Sequence, residues 1–374
     1  MNYLIRLNRI SLLLASAAVI GGLLTLPATA DDFLATAKDY VVKAQQSGAP
    51  WAGPTDGPSA AKGKTVILVS ADTRNSGIQG FTDGAQQAAN VIGWNFRVMD
   101  GQGSVSGRST ALSQALALKP DAILLGGVDA AEQTSLLGQI SAQGIKVIGW
   151  HSLPDPGVTK GSPIFFNVST DAREVARAAA MEAIVDSNGT ANVILFGDSI
   201  YKISDAKLES AAATLRQCSG CLVLSSEDTP IAEASQRMPQ LTTSLIGKNG
   251  AKWTYAIGVT DLYFDYISPS LRAVGIEPGG YPRAISAGDG SVSAFERIRS
   301  GEYQIATVAE PLNEQGWQAI DEANRAISGS APSGYISPVH LITKKNIEAD
   351  GGDRNVYDPA NGYQDIYKKI WSVQ

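Results

Sequence analysis

The sequence predicts an α/β protein of two doubly wound parallel-sheet lobes joined by crossover hinge strands. Three observations support this prediction. Short, β-branched apolar runs alternate with amphipathic stretches, the alternation occurs twice, and the chain of 374 residues is longer than one hydrophobic core usually supports. Strands that are apolar on both faces and separated by helices are typical of a parallel sheet covered on both sides.

Eight apolar runs are the candidate strands of the two sheets. They are residues 65–71, 96–99, 122–126 and 146–150 in the first half, and 192–196, 222–224, 255–258 and 284–287 in the second. Residues 164–169 lie between the halves and form the first candidate crossover, with others near Thr307 and Val339. The regular fold is expected to start at Lys64.

The first 30 residues have the features of a secretory signal peptide. Arg6 and Arg9 precede an apolar run over 10–26, which ends in small residues before a cleavage site expected after Ala30. The alternative is a membrane anchor, but serine and a glycine pair interrupt the run and no basic cluster follows it. The mature protein is therefore expected in the periplasm.

These features divide the chain into four parts. Residues 1–30 are the signal peptide, and 31–63 are an N-terminal helical extension with a linker rich in proline and glycine. Residues 64–168 plus 310–338 are predicted to form lobe 1. Residues 169–309 plus 339–374 are predicted to form lobe 2 with a C-terminal extension.

Charge and motifs exclude several function classes. The formal net charge is −6, and removal of Arg6 and Arg9 with the signal peptide leaves 28 basic and 36 acidic residues. Nucleic acid is therefore an unsuitable partner, because binding it needs a concentrated basic face. Neither a phosphate-binding glycine motif nor a metal-ligand spacing nor a catalytic Ser/His/Asp pattern occurs. We expect no enzyme activity, no cofactor and no metal.

Only two cysteines occur, Cys218 and Cys221. In an exported chain such a pair is expected to form a local disulfide. The alternative is a redox-active CxxC site, but such sites open a helix after a strand. This pair lies where a helix is predicted to end and a strand to begin.

Polar residues directly after the strands are the candidate ligand contacts, because open parallel sheets bind ligands beyond the carboxyl ends of their strands. In lobe 1 the loop after the first strand contains Asp72, Asn75 and Ile78, and capping of the next helix is an alternative role for its polar members. Trp150 ends the 146–150 strand, and His151 follows it directly. Trp150 could stack on a sugar ring or lie in the core.

Lobe 2 contributes a second set of candidates. Thr260 follows the 255–258 strand, and Asp289 lies between two glycines after the 284–287 strand. Lys207 belongs to the helix after the 192–196 strand, and Glu310, where the chain returns to lobe 1, follows the strand at 305–309. Carboxylates, an amide and one or two cations together suit polyhydroxylated ligands, since charged acceptors make strong hydrogen bonds to hydroxyl groups.

This ordered series resembles the ribose-type (type I, cluster B) periplasmic solute-binding proteins of sugar ABC importers, from about Lys64 to Thr343. Asn75 and Ile78 match the family's Asn and aromatic residue, and Asp289 in Ala-Gly-Asp-Gly matches its ligand Asp. At other positions this chain differs from the family. His151 and Ser152 stand where the family often has an Asp-Arg pair, and Lys207 stands where it has an Arg. Thr260 takes the place of an Asn, and Glu310 takes the place of a hinge Gln.

The resemblance implies a monomeric, non-enzymatic protein that closes two lobes over a sugar, polyol or sugar derivative and delivers it to a membrane permease. Because the Asp-Arg pair and the paired aromatics are absent, ribose itself is in doubt, and a sugar acid contacting Lys207 and Arg74 is an alternative. Two other functions stay open. One is ligand sensing for a chemoreceptor or sensor kinase, and the other is redox chemistry at the cysteine pair.

Overall fold

The computed structural model describes residues 30–373, so the predicted signal peptide lies outside the described residues except for Ala30. The strands are β1 (Thr65–Ser70), β2 (Asn95–Asp100), β3 (Ala122–Gly126), β4 (Lys146–Trp150), β5 (Phe166–Val168), β6 (Asn192–Gly197), β7 (Leu222–Asp228), β8 (Tyr255–Gly258), β9 (Arg283–Ser286), β10 (Gln304–Ala309) and β11 (His340–Thr343). The helices are α1 (Ala30–Ala44), α2 (Ser76–Val91), α3 (Val105–Ala117), α4 (Thr134–Ala142), α5 (Ala172–Asp186), α6 (Lys202–Leu215), α7 (Ala234–Asn249), α8 (Ser268–Ala273), α9 (Val292–Ser300), α10 (Leu312–Ser328), α11 (Ile347–Gly351) and α12 (Tyr363–Trp371).

Lobe 1 is built on a five-stranded sheet in the order β2-β1-β3-β4-β5, in which every pairing is parallel. Strands β1 and β3 are buried along almost their whole length, as their uninterrupted apolar sequences require. Helix α10 packs on α2 and β4, while α3 packs on β1 and β2. The predicted doubly wound lobe is confirmed.

Lobe 2 is built on a six-stranded sheet in the order β11-β10-β9-β8-β6-β7. All its pairings are parallel except that of β10 with β11. Alanines of α5 pack against this sheet on one side, and a cluster around Phe196, Trp253 and Tyr263 covers the other. The two-lobe α/β class predicted from the sequence is therefore confirmed.

Within residues 30–373, the chain passes between the lobes five times. Three passages are the expected hinge crossovers, which follow β5, β10 and α10. The fourth leads from α1, which packs on α5 of lobe 2, to Trp51, which packs in the core of lobe 1. The fifth leads from α11, which packs on β11, to α12.

Helix α12 differs from the domain prediction, which grouped residues 339–374 with lobe 2. Its buried residues Tyr363, Tyr367, Ile370 and Trp371 belong to the hydrophobic core of lobe 1. The Trp371 ring stacks on Trp317 of α10 with 5.6 Å between the ring centroids. Burial of these large apolar side chains against α10 holds the C-terminal helix on the first lobe.

The terminal segments cover the polar face of α10 and satisfy its hydrogen-bonding groups. Asn324 Oδ1 accepts from Ala61 N, and Asn324 Nδ2 donates to Pro58 O, at 3.0 Å each. Trp371 Nε1 donates to Asp321 Oδ1 at 2.8 Å. A helix that is buried on all sides needs such partners, because an unpaired buried polar group is costly.

Two glutamates on this face make the stability of the protein depend on pH. Burial raises the pKa of Glu314 to about 7 despite hydrogen bonds from Asn361 and Tyr335, and it raises the pKa of Glu322 to about 7 despite Ser333. Because both pKa values are raised by folding, their stabilising contribution is complete below about pH 4.5. It is lost as the pH rises through about 7.

We expect the Glu314→Gln/Glu322→Gln variant, whose amides mimic the neutral acids, to lose less stability than the wild type between pH 5 and pH 8. The difference should be on the order of 3 kcal/mol per site at most. Urea unfolding at a series of pH values measures it. Parallel pH profiles for variant and wild type would contradict this assignment.

Cys218 and Cys221 form a disulfide, with 5.3 Å between their Cα atoms. The pair follows α6 and precedes β7, as predicted. It lies at a helix-to-strand junction, whereas a redox-active pair is expected at a strand-to-helix junction, and it closes only a short loop.

Candidate functional site in the cleft between the lobes

A cavity lies between the lobes at the carboxyl ends of the strands. Its volume, measured as the space open to the centre of a water molecule, is about 90 Å³, whereas one buried water needs about 10–15 Å³ of such space. Eight of the nine predicted ligand contacts line it: Asp72, Asn75, Ile78, Trp150, His151, Lys207, Thr260 and Asp289. The ninth, Glu310, lies behind His151.

The loop after β1 forms one wall of the cavity. Asn75 caps α2, since its Oδ1 accepts hydrogen bonds from Gly77 N at 2.9 Å and Ile78 N at 3.2 Å. The two roles considered for Asn75, helix cap and cavity wall, therefore coincide. Asp72 pairs with Arg74 at 2.7 Å, and the Arg74 side chain is 70% exposed.

Three aromatic rings form a continuous stack from the core of lobe 1 to the cavity. Trp150 lies between Phe81 and His151, with centroid distances of 4.9 and 3.9 Å and nearly parallel planes. The indole Nε1 of Trp150 donates to Gln315 Oε1 at 2.7 Å in the buried interior. The stack thus fixes the plane of the His151 ring at the cavity wall.

Glu310 pairs with His151 at the second crossover. His151 Nε2 and Glu310 Oε2 are 3.0 Å apart, and the Glu310 side chain is 1% exposed. Burial alone would raise the pKa of Glu310, but the charge and hydrogen bond of His151, with Lys207 and Gln315, lower this pKa to about 2. Glu310 is therefore an anion at physiological pH.

Lys207 brings a buried ammonium group to the lobe 2 wall. Its Nζ donates to Ala287 O at 2.6 Å and to Val259 O at 3.2 Å. Both Lys207 and His151 lower the pKa of Asp289, although burial, the larger effect, raises it. Thr260 Oγ1 donates to Asp289 Oδ2 at 3.1 Å.

His151, Asp289 and Glu310 offer ligand atoms within 4.8 Å of one another, a set that could in principle hold a metal ion. Lys207 Nζ lies beside this cluster, 2.8 Å from the point where a side chain at Gly288 would begin, and Glu310 Oε1 lies 3.7 Å from the same point. The Lys207 ammonium supplies the positive charge that a metal ion would bring. The cluster therefore combines the His151–Glu310 ion pair with a nearby ammonium group, which lowers the pKa values of Asp289 and Glu310 without a direct ion pair to either.

The comparisons with known proteins agree with this architecture. Residues 66–331 match the profile of the family described as "Periplasmic binding protein domain". This chain is a member of that family. The match covers more than half of the chain and lies within the range over which the sequence resembles type I binding proteins.

Solved structures show the fold that this binding protein shares. An ABC transporter solute-binding protein from Agrobacterium vitis with bound allitol is 18% identical, with a TM-score of 0.68 over 77% of this chain and 98% of that one. A second from the same organism, bound to α-D-tagatopyranose, is 16% identical, with a TM-score of 0.69 over 79% and 99%. One from Bacillus halodurans with bound myo-inositol is 18% identical, with a TM-score of 0.65 over 77% and 98%.

A search of curated proteins finds no match to the sequence of this binding protein. Within residues 30–373, none of the helices has the length and apolar character needed to cross a membrane.

The prediction missed cavity residues of lobe 2. Five more residues of this lobe line the cavity: Tyr201, Ile203, Ser204, Ile231 and Ala232. The predicted strand at 222–224 ended too early, because β7 continues through the polar residues to Asp228. The post-strand segment with Ile231 and Ala232 was therefore not recognised.

Asp261, next to Thr260, was also missed. Its Oδ2 accepts hydrogen bonds from the backbone N–H groups of Asp289, Gly290 and Ser291 at 2.8–3.1 Å. Asp261 thereby holds the loop that places the Asp289 carboxylate in the cleft. The adjacent Thr-Asp pair after β8 was a signal for it in the sequence.

Direct contacts between the lobes close the mouth of the cavity. Arg108 of lobe 1, fully buried, is held by Glu132 at 2.7 Å and donates from Nη1 to the Tyr201 hydroxyl of lobe 2 at 3.3 Å. The backbone N–H of Lys202 donates to Asp129 Oδ2 at 2.7 Å. This arrangement is a closed cleft.

Gly77 permits this closed arrangement. A Cβ atom at position 77 would lie 2.7 Å from Asp289 Oδ2 of the opposite lobe, which is closer than such atoms approach. We expect Gly77→Ala to open the cleft, which small-angle scattering of the purified protein would show as an increased radius of gyration.

Gly138→Ala is the matched control for Gly77→Ala. Gly138 lies within α4 and a Cβ atom there would meet nothing within 4 Å. This substitution should stabilise its helix by up to about 1 kcal/mol without changing the scattering curve. An unchanged radius of gyration in Gly77→Ala would refute the role given to Gly77.

Proposed function

We propose that this protein is a non-enzymatic, monomeric solute-binding protein of an ABC importer, and that it binds a small sugar, polyol or sugar derivative in the cleft. The observation that carries the proposal is the cavity between the lobes, into which the polar residues Asn75, His151, Lys207 and Asp289 converge among apolar lining residues. A small cavity with a few convergent polar groups is typical of a site for one small molecule.

The acceptors in this cavity favour ligands that donate hydrogen bonds. Asp289 lines the cavity as a carboxyl group and Glu310 lies directly behind His151, whereas Lys207 already uses two of its three N–H bonds on backbone carbonyls. Arg74, considered as a partner for a sugar acid, is occupied by Asp72. Neutral sugars and polyols therefore suit the site better than sugar acids.

The solved structures support the same ligand class. Three proteins of this fold were crystallised with allitol, tagatopyranose or myo-inositol. Export to the periplasm after cleavage behind Ala30, and delivery to a permease, complete the proposal. Mass spectrometry of the mature protein should find Asp31 as its first residue.

Thermal-shift measurements with allitol, D-tagatose, myo-inositol, D-galactose and L-arabinose test the ligand class, with D-galactonate as the acid control. A ligand present at 100 times its Kd stabilises by about 2.7 kcal/mol, a shift of several degrees in a protein of this size. We expect at least one neutral compound to stabilise the protein and the acid to have no effect. Stabilisation by D-galactonate alone, or by none of the compounds, would contradict the proposal.

A further inference from the structure

Gln315 lies behind the cavity wall, on the first turn of α10, and is fully buried. The indole N–H of Trp150 donates only, so the amide atom that faces it at 2.7 Å is the oxygen. The amide nitrogen Nε2 then faces Glu310 Oε2 at 2.9 Å and Thr170 Oγ1 at 3.4 Å. The orientation of the amide is therefore fixed by its neighbours.

Glu310 uses its two oxygens unequally. Oε2 accepts from His151 Nε2, Gln315 Nε2 and Thr170 N, at 3.0, 2.9 and 3.3 Å. Within residues 30–373, no group donates a hydrogen bond to Oε1, although this atom is buried. Oε1 lies on the side of Lys207 and Gly288.

We propose that Gln315 is a positioning residue of the binding site. It joins the Trp150–His151 stack to Glu310 Oε2 in one hydrogen-bonded unit, so that Oε1 is directed toward Lys207 and the cleft. The role in ligand binding rests on the function proposed above. The role in orienting Trp150 and Glu310 does not.

Only an amide satisfies both neighbours of position 315 at neutral pH. An ionised glutamate could accept from Trp150 Nε1, but it would place a second carboxylate about 3 Å from Glu310 Oε2, where two negative charges repel strongly. A protonated glutamate would restore the donor. Methionine has a similar length and apolar bulk, but it offers neither the donor nor a strong acceptor.

These differences define two variants, Gln315→Glu and Gln315→Met. Selective ¹⁵N labelling of tryptophan gives one indole N–H signal for each of the six tryptophans, and Trp150→Phe identifies the signal of Trp150. The charged or titratable groups around the site are His151, Lys207, Asp289 and Glu310, and burial also raises the pKa of Glu314, the residue before Gln315 on α10, to about 7. The wild type measured over the same pH range records their contribution.

In the ligand-free protein, we expect Gln315→Met to move the Trp150 indole signal at every pH. In Gln315→Glu, the Trp150 signal should lie close to the wild-type position at pH 5 and move away from that position at pH 8. A Gln315 that merely fills space would leave the signal of Gln315→Met in place and the signal of Gln315→Glu independent of pH. Either result would overturn the positioning role.

The role of Gln315 in ligand binding is tested by isothermal titration with the neutral compound that gives the largest thermal shift. Gln315→Met should weaken its binding at least tenfold at pH 5 and pH 8, and Gln315→Glu only at pH 8. Affinities within twofold of the wild type would overturn it. If none of the five neutral compounds binds the wild type, the proposed function fails, and the indole signal alone decides the role of Gln315.

Discussion

Replacing Asp289 by asparagine should weaken ligand binding about 100-fold. The carboxylate is buried in the cleft, and its Oδ2 is held by Thr260. Hydrogen bonds to a charged acceptor contribute about 1.5–3 kcal/mol, and 1.4 kcal/mol corresponds to a factor of ten in Kd. Isothermal titration with the neutral sugar or polyol that stabilises the wild type measures the loss.

Asp205→Asn makes the same chemical change on the surface of lobe 2. Asp205 pairs with Lys202 on α6, and both side chains are about half exposed. An exposed pair contributes little, so this control should bind as the wild type does. A Kd for Asp289→Asn within threefold of the wild-type value would show that Asp289 is not a ligand contact.

Replacing Lys207 by methionine should have the largest effect on stability. The change leaves Asp289 and Glu310 buried without the ammonium group, and it removes the hydrogen bonds to Ala287 O and Val259 O. Removal of one partner from a buried ionic network typically costs 3–5 kcal/mol, which we expect to lower the Tm by on the order of 10 °C. Calorimetry and urea unfolding measure the loss.

Two further variants separate charge from packing at this site. Lys202→Met removes an exposed ammonium from the same helix and should leave the Tm unchanged. The double variant Lys207→Met/Asp289→Asn should be more stable than Lys207→Met, because it removes one of the uncompensated charges. A loss below about 1 kcal/mol in Lys207→Met would mean that the network does not depend on the ammonium.

The sequence allowed most of the cleft to be predicted because of a geometric rule. Parallel strands that point the same way bring the residues after them to one edge, so Asn75, His151 and Asp289 could be placed together without knowledge of their contacts. The rule depends on correct strand ends. It failed at β7, where four consecutive polar residues extend the strand from Leu224 to Asp228.

Residues within helices were not accessible in the same way: Lys207 was predicted because the family has an Arg at its position, whereas other helix residues of the site were missed. Arg108 and Gln315 reach the site from the sides of α3 and α10, and nothing in their local sequence distinguishes them from other polar helix residues. The lobe on which α12 packs was equally hidden. Apolar spacing shows that Tyr363, Tyr367 and Trp371 share a buried face, but not which surface covers it.

The two additional passages of the chain between the lobes affect the mechanics of the hinge. Trp51 contacts Tyr335 and Tyr363 on lobe 1, with ring centroids 4.9 and 6.4 Å apart, close to the third crossover. Tyr357 stacks on His340 of lobe 2 at 4.3 Å, while the neighbouring Asp358 accepts from the Tyr363 hydroxyl of lobe 1 at 3.0 Å. Three segments of the chain, namely the N-terminal linker, the third crossover and the segment before α12, therefore lie close together at one edge of the hinge.

A hinge made of several neighbouring chain segments can still bend about the line that joins them, but it resists twisting of one lobe against the other. Each fastening also raises the number of contacts that must break before the lobes can separate. We therefore expect the terminal segments to favour hinge bending, which opens and closes the cleft, over twisting of the lobes relative to each other. Asp289 of lobe 2 and Gly77 of lobe 1 would then meet in the same register each time the cleft closes.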